Sequence, residues 1–195
     1  MTTMDHMSAN VSLNTNNQYV SRYDQLHFAM IRIVHETLYG IFVNPYRRLT
    51  QAGLRRGQRV LEVGCGPGFF TIPAAKIVGE TGHVYALDIN PAAVQYVSRK
   101  IVGSRLPNVE AKLADVTETR LGDESVDLAF LFGVMHAFKD VNKMLREMYR
   151  VLRPNGMLSI QSRAPEKELA ETVDSSGLFT FKEGTSGVCV FEKKA

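Results

Sequence analysis

Residues 60–71 read VLEVGCGPGFFT, an apolar run that contains a glutamate and leads into three closely spaced glycines. The run Arg59–Val63 is rich in β-branched and aliphatic residues, which predicts a buried strand. Phe70–Val78 carries apolar residues at helical spacing, which predicts a helix. Glycines without a Cβ permit a tight turn between the two. The stretch therefore predicts a strand, a glycine turn and a helix in direct succession.

The same alternation of apolar runs and amphipathic segments continues to the end of the chain. Six more strands are predicted, at His83–Leu87, Val109–Leu113, Val126–Leu131, Met157–Ser162, Leu178–Phe181 and Val188–Glu192. Further helices are predicted at Pro91–Val102, Val141–Leu152 and around Pro165–Ser175. This order is typical of a mostly parallel sheet with helices on both faces. The short EGTSG connection at 183–187 predicts that the last two strands form an antiparallel hairpin at one edge.

The segment before the first strand differs in composition from the rest. Residues 1–18 are rich in Asn, Ser, Thr and Met without apolar periodicity, which predicts a disordered tail. Residues 19–56 are predicted to form leading helices: one from Ser21 to about Val43, a break at Pro45, and a short second helix at Tyr46–Ala52. Residues 57–195 form the predicted main domain. The apolar stripe of the first helix consists of Leu26, Met30, Ile33, Val34, Leu38 and Ile41.

Composition narrows the class of protein. A chain of 195 residues can bury one core, and its net charge of +3 gives no reason to expect nucleic-acid binding. An arginine cluster between Arg47 and Arg59 is expected to be a solvated face. The two cysteines have no metal-binding spacing, so no metal is expected. The apolar runs are too short to span a bilayer and no secretory signal opens the chain, so a cytoplasmic protein without membrane contact is expected.

Acidic residues follow or close the first three predicted strands. Glu62 precedes the glycines Gly64, Gly66 and Gly68, Asp88 ends the second strand, and Asp115 follows the third. In open α/β sheets, ligands bind beyond the carboxyl ends of the strands. Asp88 is suited to accept two ribose hydroxyls, and Asp115 to accept from an exocyclic amine. Each could instead cap a turn, and the glycine turn could be a connection without a ligand.

The pattern departs from the dinucleotide fingerprint. That fingerprint places its third glycine at position 69, where this chain has Phe69, and its turn binds a pyrophosphate. Glu62 places negative charge near the pocket, which favours a cationic ligand over a pyrophosphate. The sequence therefore favours a ligand with a sugar, a base and a positive charge.

Taken together, these motifs resemble those of the class I S-adenosylmethionine-dependent methyltransferases, in the small-molecule, methyltransferase type 11-like branch. The resemblance covers Gly57–Lys193 and rests on VLEVGCGPG, ALDIN, LADVTE, VDLAFLFGVMHAF and REMYRVLRPNGMLSI. It implies a Rossmann-like three-layer sandwich. The implied sheet has seven strands in the order 3-2-1-4-5-7-6 with strand 7 antiparallel, and the leading helices form a lid.

The resemblance also assigns a role to each cofactor residue. The methionine part of S-adenosylmethionine would lie along the glycine loop, with Glu62 facing its ammonium group. Asp88 would hold the ribose, Ile89 the adenine face, and Asp115 the adenine amine, while Phe132 and Gly133 would close the pocket near the sulfonium. The implied cofactor residues are Glu62, Gly64, Cys65, Gly66, Gly68, Asp88, Ile89, Asp115, Val116 and Phe132.

The acceptor side is less specified, because methyl transfer can rest on positioning and exclusion of water without a base. His136 is the candidate base, and a histidine that packs or bonds locally is the alternative. Asp140 is expected to cap the following helix. The segment LFGVMHAF lacks the [DNS]PP[YFW] motif of enzymes that methylate nucleic-acid bases. A small-molecule acceptor is therefore expected, without nucleic acid, and a homodimer is possible.

Tyr23, His27, His35, Tyr39 and Tyr46 of the leading helices could face the acceptor if these helices form a lid. The alternative is that Leu26, Met30, Ile33 and Leu38 pack on the sheet. Two further functions stay open at this point. One is a catalytically silent subunit that binds the cofactor and activates a partner, and the other, disfavoured by Phe69, is an NAD(P)-dependent oxidoreductase.

Overall fold

The computed structural model describes residues 22–33 and 43–195. The predicted tail at 1–18, along with Val34, Leu38, Ile41, His35 and Tyr39, lies outside these residues. The helices are α1 Arg22–Ile33, α2 Pro45–Gln51, α3 Thr71–Val78, α4 Pro91–Gly103, α5 Val141–Val151 and α6 Glu166–Asp174. The strands are β1 Arg59–Val63, β2 His83–Asp88, β3 Val109–Leu113, β4 Val126–Phe132, β5 Leu152–Gln161, β6 Phe179–Thr185 and β7 Val188–Lys193.

The strands form one seven-stranded sheet in the order β3-β2-β1-β4-β5-β7-β6. Strands β1 to β5 pair in parallel, whereas β7 pairs antiparallel with both β5 and β6. The strand order reverses between β1 and β4, which pair in parallel at the centre of the sheet. The predicted fold class, strand order and terminal hairpin are confirmed.

Helices bury apolar residues against both faces of the sheet, which makes three layers. On one face α3 and α4 contribute Ala74, Val78 and Val97 to a core that also contains Val60 and Val84. The other face is covered by α5 and α6, and the large residues of its core include Leu61, Met144, Leu145, Met148, Leu152, Phe179 and Phe191. Burial on both faces explains why the strands read as continuous apolar runs.

Strand β5 begins earlier than the sequence predicts. The predicted helix runs to Leu152 and the predicted strand from Met157, but Leu152 already pairs with Val126 and the register shifts before Met157. Pro154 cannot continue a helix, and Asn155 has a φ of 61°. The residues between Leu152 and Met157 therefore form an irregular excursion within the strand.

The last hairpin turns at Ser186 and Gly187, which join β6 to β7. Their φ values are 52° and 79°. Two successive positive φ values are those of a type I′ turn, whose twist matches antiparallel strands. Strand β6 is longer than predicted, because its pairing with β7 continues to Thr185.

Helix α1 packs on the outer side of α4. The rings of Phe28 and Tyr96 lie 5.4 Å apart, and Phe28 is buried. Leu26, Met30 and Ile33 are 73%, 61% and 58% exposed, so the expectation that these three pack on the sheet is wrong. The predicted helix is confirmed over Arg22–Ile33, but its buried contact is made by Phe28. The lid function stays a prediction.

Helix α2 starts at Pro45, and the Asn44 side chain accepts a hydrogen bond from the Arg47 N–H. Proline is favoured at this position because its missing N–H has no helical partner there. The predicted break at Pro45 is therefore the start of the second helix. Within residues 22–33 and 43–195, no helix combines the length and the apolar character needed to cross a membrane.

Candidate cofactor site at the strand ends

The glycine loop after β1 is held against the end of β2. The N–H groups of Gly64 and Cys65 both donate to the Leu87 carbonyl oxygen, at 2.8 and 2.9 Å. The Gly68 N–H donates to the Cys65 carbonyl at 2.9 Å, which closes the turn before α3. Gly64, Gly66 and Gly68 have φ values of 76°, 49° and 77°. This conformation is costly for residues with a Cβ, so the loop requires glycine.

Gly64 and Gly66 have different surroundings. A Cβ on Gly64 would lie 2.5 Å from Cγ1 of Val134, in the segment after β4. A Cβ on Gly66 would have no heavy atom within 4 Å. Gly64 therefore allows two loops of the protein to pack together, whereas Gly66 faces open space that a ligand can use. Both were predicted to line the methionine part of the cofactor, and that role stays a prediction.

Glu62 lies in the interior below the loop. It is 2% exposed, and its Oε2 accepts a hydrogen bond from Oγ1 of the fully buried Thr71 at 2.6 Å. Burial raises the pKa of Glu62 to about 8, the bond from Thr71 lowers it in part, and the charge of Asp88 raises it. Without a cationic ligand, Glu62 is therefore mostly neutral at pH 7.

Asp88 joins the loop to the end of β2. Its Oδ2 accepts from the Gly66 N–H and its Oδ1 from the Asn90 N–H, both at 2.8 Å. A carboxylate oxygen has two lone pairs, so a bond from a backbone N–H does not by itself prevent a bond from a hydroxyl. Ile89 follows and is 70% exposed, which leaves its side chain accessible to a flat ligand.

Asp115 is exposed after β3 and forms a tight local turn. Its Oδ1 accepts from the N–H and the hydroxyl of Thr117, both at 2.7 Å. These bonds lower the pKa of Asp115, so the carboxylate is charged near neutral pH. In the described part of the chain, Oδ2 has no hydrogen-bond partner. The neighbouring Val116 is buried at 8% exposure.

Phe132 ends β4 within an aromatic cluster. Its ring lies 5.0 Å from the rings of both Phe70 and Phe130. Gly133 follows with a φ of 73°, and its N–H donates to the Gln161 carbonyl at 3.0 Å. This contact ties the ends of β4 and β5 together, beside the glycine loop that Val134 contacts.

His136 lies in a short 3-10 turn, Met135–Ala137, after β4. Its side chain is exposed, and in the described residues it makes neither a hydrogen bond nor an ion pair. The alternative of a locally packed or bonded histidine is therefore not what the structure shows, and the base role stays a prediction. Asp140 caps α5 by accepting from the Lys143 N–H at 2.8 Å, as predicted.

Sequence reasoning missed three residues of this site. Thr71 bonds Glu62, Val134 fills the space that Gly64 leaves, and Lys100 donates from Nζ to the Pro67 carbonyl at 3.0 Å. Thr71 could have been found, since a hydroxyl residue at the start of the helix after the glycine loop faces the strand. The other two contacts join segments that are distant in the sequence.

A model of the methyltransferase domain family matches residues 54–185 of the chain. The chain is 34% identical over 131 residues to the ubiquinone/menaquinone biosynthesis C-methyltransferase UbiE of Vibrio vulnificus. This match covers 66% of this chain and 50% of that protein. It is 31% identical over 109 residues to an arsenite methyltransferase of Halobacterium salinarum, covering 56% of this chain and 28% of that protein. The chain thus spans half or less of the length of these curated relatives.

Among solved structures, the chain is similar to a SAM-dependent methyltransferase from Aquifex aeolicus. The TM-score is 0.75 at 26% sequence identity, and the match covers 85% of this chain and 96% of that one. These findings confirm the predicted family, its fold and S-adenosylmethionine as its cofactor. By the match over residues 54–185, the chain belongs to the methyltransferase domain family.

Proposed function

We propose that this chain transfers a methyl group from S-adenosylmethionine to a small-molecule acceptor, with S-adenosylhomocysteine as the product. The observation that carries the proposal is the bond between the Gly66 N–H and Asp88 at 2.8 Å. This bond holds the Asp88 carboxylate, the proposed ribose ligand, directly beside the open space at Gly66. A ligand that has both a ribose and an amino-acid arm fits this pair of features.

Each acidic residue would bind a different part of the cofactor. The carboxylate of Asp88 would accept the ribose hydroxyls, and Oδ2 of Asp115 would accept the adenine amine. The exposed side chain of Ile89 would cover one face of the adenine, and Val116 would pack beside it. Glu62 would face the ammonium group, and Gly64, Cys65, Gly66 and Gly68 would supply the backbone of the methionine site.

The acceptor would approach from the ends of β4 and β5, because the ends of β1 to β3 are used by the cofactor. When bound, S-adenosylmethionine supplies an electrophilic methyl group on a sulfonium. Phe132 would exclude water from this centre, which favours a transition state in which charge is dispersed. His136 would take the proton of an acceptor hydroxyl, amine or acidic carbon.

The two curated relatives are named for quinone biosynthesis and for arsenite, and both names indicate a small acceptor. Thiols are the groups that would hold arsenite. The chain has only Cys65 and Cys189, both are buried, and burial raises the pKa of each thiol. An organic acceptor therefore fits this chain better than arsenite does.

Calorimetric titration with S-adenosylmethionine, S-adenosylhomocysteine and NADH tests the proposal. We expect micromolar dissociation constants for the first two and no binding of NADH. Failure to bind either nucleoside below millimolar concentration would overturn the proposal. A screen of small organic acceptors, read out as S-adenosylhomocysteine formed, then separates a methyltransferase from a silent binding subunit.

A further inference from the structure

The side-chain contacts of Glu62 leave the carboxyl group without a positive partner. Its hydrogen bond from Thr71 is the one side-chain bond it makes in the described residues, and no ion pair joins it there. Its sheet neighbours in register are Ala86 and Phe130, which are apolar. A buried carboxylate is stable only with a cation or several hydrogen-bond donors.

The charged and polar groups around Glu62 come from β2, the glycine loop, α3 and α4. The charge of Asp88 on β2 raises the pKa of Glu62. A negative charge on Glu62 in turn raises the pKa of the Cys65 thiol in the glycine loop. From α3 the polar contact is the neutral hydroxyl of Thr71. On α4, Lys100 reaches the loop, where its Nζ donates to the Pro67 carbonyl. The surroundings as a whole favour the neutral acid.

We propose that binding of the cationic cofactor at this site expels the proton of Glu62, so that cofactor binding releases one proton to the solvent. The inference rests on the proposed function, because it requires a ligand whose ammonium or sulfonium lies near Glu62. In the free protein burial of the strand and the charge of Asp88 stabilise the neutral acid, and the single hydrogen bond from Thr71 offsets this only in part. When a cation is bound, the same carboxyl ionises and pairs with it, and the buried site then contains no unpaired charge.

The proposal explains the presence of an acidic residue in a buried strand. A permanently ionised carboxylate at this position would destabilise the protein whenever the cofactor is absent. A permanently neutral amide would lose the attraction to the cation. An acid that changes its charge on binding avoids both costs, and it favours a charged ligand over a neutral one of the same shape.

The experiment is calorimetric titration of the full chain with S-adenosylmethionine at pH 6.0, in two buffers with different ionisation enthalpies. At this pH the α-amino group of the ligand is protonated before and after binding, so it adds no protons to the count. We expect the enthalpy difference to give about one proton released. Between pH 5.5 and 6.5 the affinity should rise about tenfold.

Two variants identify the source of the proton. Glu62→Gln is expected to bind more weakly and to release no proton. Asp115→Asn removes a cofactor carboxylate that is already ionised, so it is expected to weaken binding while still releasing about one proton. If Glu62→Gln releases as many protons as the wild type, Glu62 is not the source and the proposal is overturned.

The wild-type measurement tests the proposal even if Glu62→Gln does not fold. Binding without proton release at pH 6.0 would overturn the inference and leave the proposed function intact. Absence of binding would instead overturn the proposed function. The two failures are therefore distinguished by one titration.

Discussion

The two halves of the carboxyl edge of the sheet differ in how firmly their polar groups are held. At the ends of β1 to β3, Glu62 and Asp88 are fixed by hydrogen bonds to Thr71 and to backbone N–H groups. At the ends of β4 and β5, His136 and Arg163 are exposed and have no partner in the described residues. The difference supports the proposal that the cofactor site is held by the fold itself, whereas the acceptor would be bound by side chains that the fold does not fix.

The two halves meet where Gly64 contacts Val134, and the largest effect is expected there. Gly64→Ala places a Cβ at a positive φ and 2.5 Å from Val134 Cγ1. The strained conformation and the overpacking together should lower the free energy of unfolding by about 2–5 kcal/mol. Urea unfolding of the variant and the wild type measures this loss.

Val134→Ala is the matched second change, because it removes the methyl groups that the new Cβ would meet. In the double variant the clash is relieved, so part of the loss should be recovered and the two changes should not be additive. Strict additivity of the two free-energy changes would contradict the proposed contact between the two halves.

The next effect concerns Glu62 and its dependence on pH. The pKa of Glu62 is about 8 in the folded protein, above its ordinary value of 4.5. An acid whose pKa is raised in the folded protein contributes stability that is complete below pH 4.5 and is lost as the pH rises towards 8. Glu62→Gln does not titrate, so without cofactor its stability relative to the wild type should rise by about 2–3 kcal/mol between pH 5 and pH 7.

Urea unfolding of both proteins at the two pH values tests this expectation. Other groups, such as Glu147, titrate in both proteins and cancel from the comparison. A difference between the proteins that stays the same at pH 5 and pH 7 would show that Glu62 is ionised in the free protein.

Asp88→Ala tests the cofactor half directly. The variant loses charge-assisted hydrogen bonds to the ribose, so cofactor affinity should fall by about 1.5–3 kcal/mol. The Gly66 N–H also loses its acceptor, so the loop is held less firmly. Asp88→Asn keeps an oxygen that can accept from one N–H, and it should recover part of the affinity in the same titration. Equal affinity of Asp88→Ala and the wild type would exclude Asp88 from the ribose site.

The sequence predicts features that depend on local patterns better than features that depend on contacts between distant segments. Strands, helices and their order follow from local periodicity, and the acidic residues at the ends of β1 to β3 follow from the strand boundaries. The contact of Val134 with Gly64 and the contact of Lys100 with Pro67 join distant segments, and no local pattern indicates them. The exposed face of α1 shows the same limit, because apolar periodicity predicts an apolar stripe on the helix but does not indicate whether that stripe packs on the sheet.

The smallest effect on cofactor binding is expected in the acceptor half. His136 is exposed and makes neither a hydrogen bond nor an ion pair within the described residues, so His136→Ala should change cofactor affinity by less than about 0.5 kcal/mol. With an identified acceptor, the turnover rate should fall by about 10²-fold or more if His136 is the base. Arg163→Ala, a substitution of an exposed residue after β5, is the matched control, because loss of an exposed side chain that is not a base should leave the pH dependence of kcat unchanged. Turnover by His136→Ala at the wild-type rate would show that positioning alone drives the transfer and that no base acts at this position.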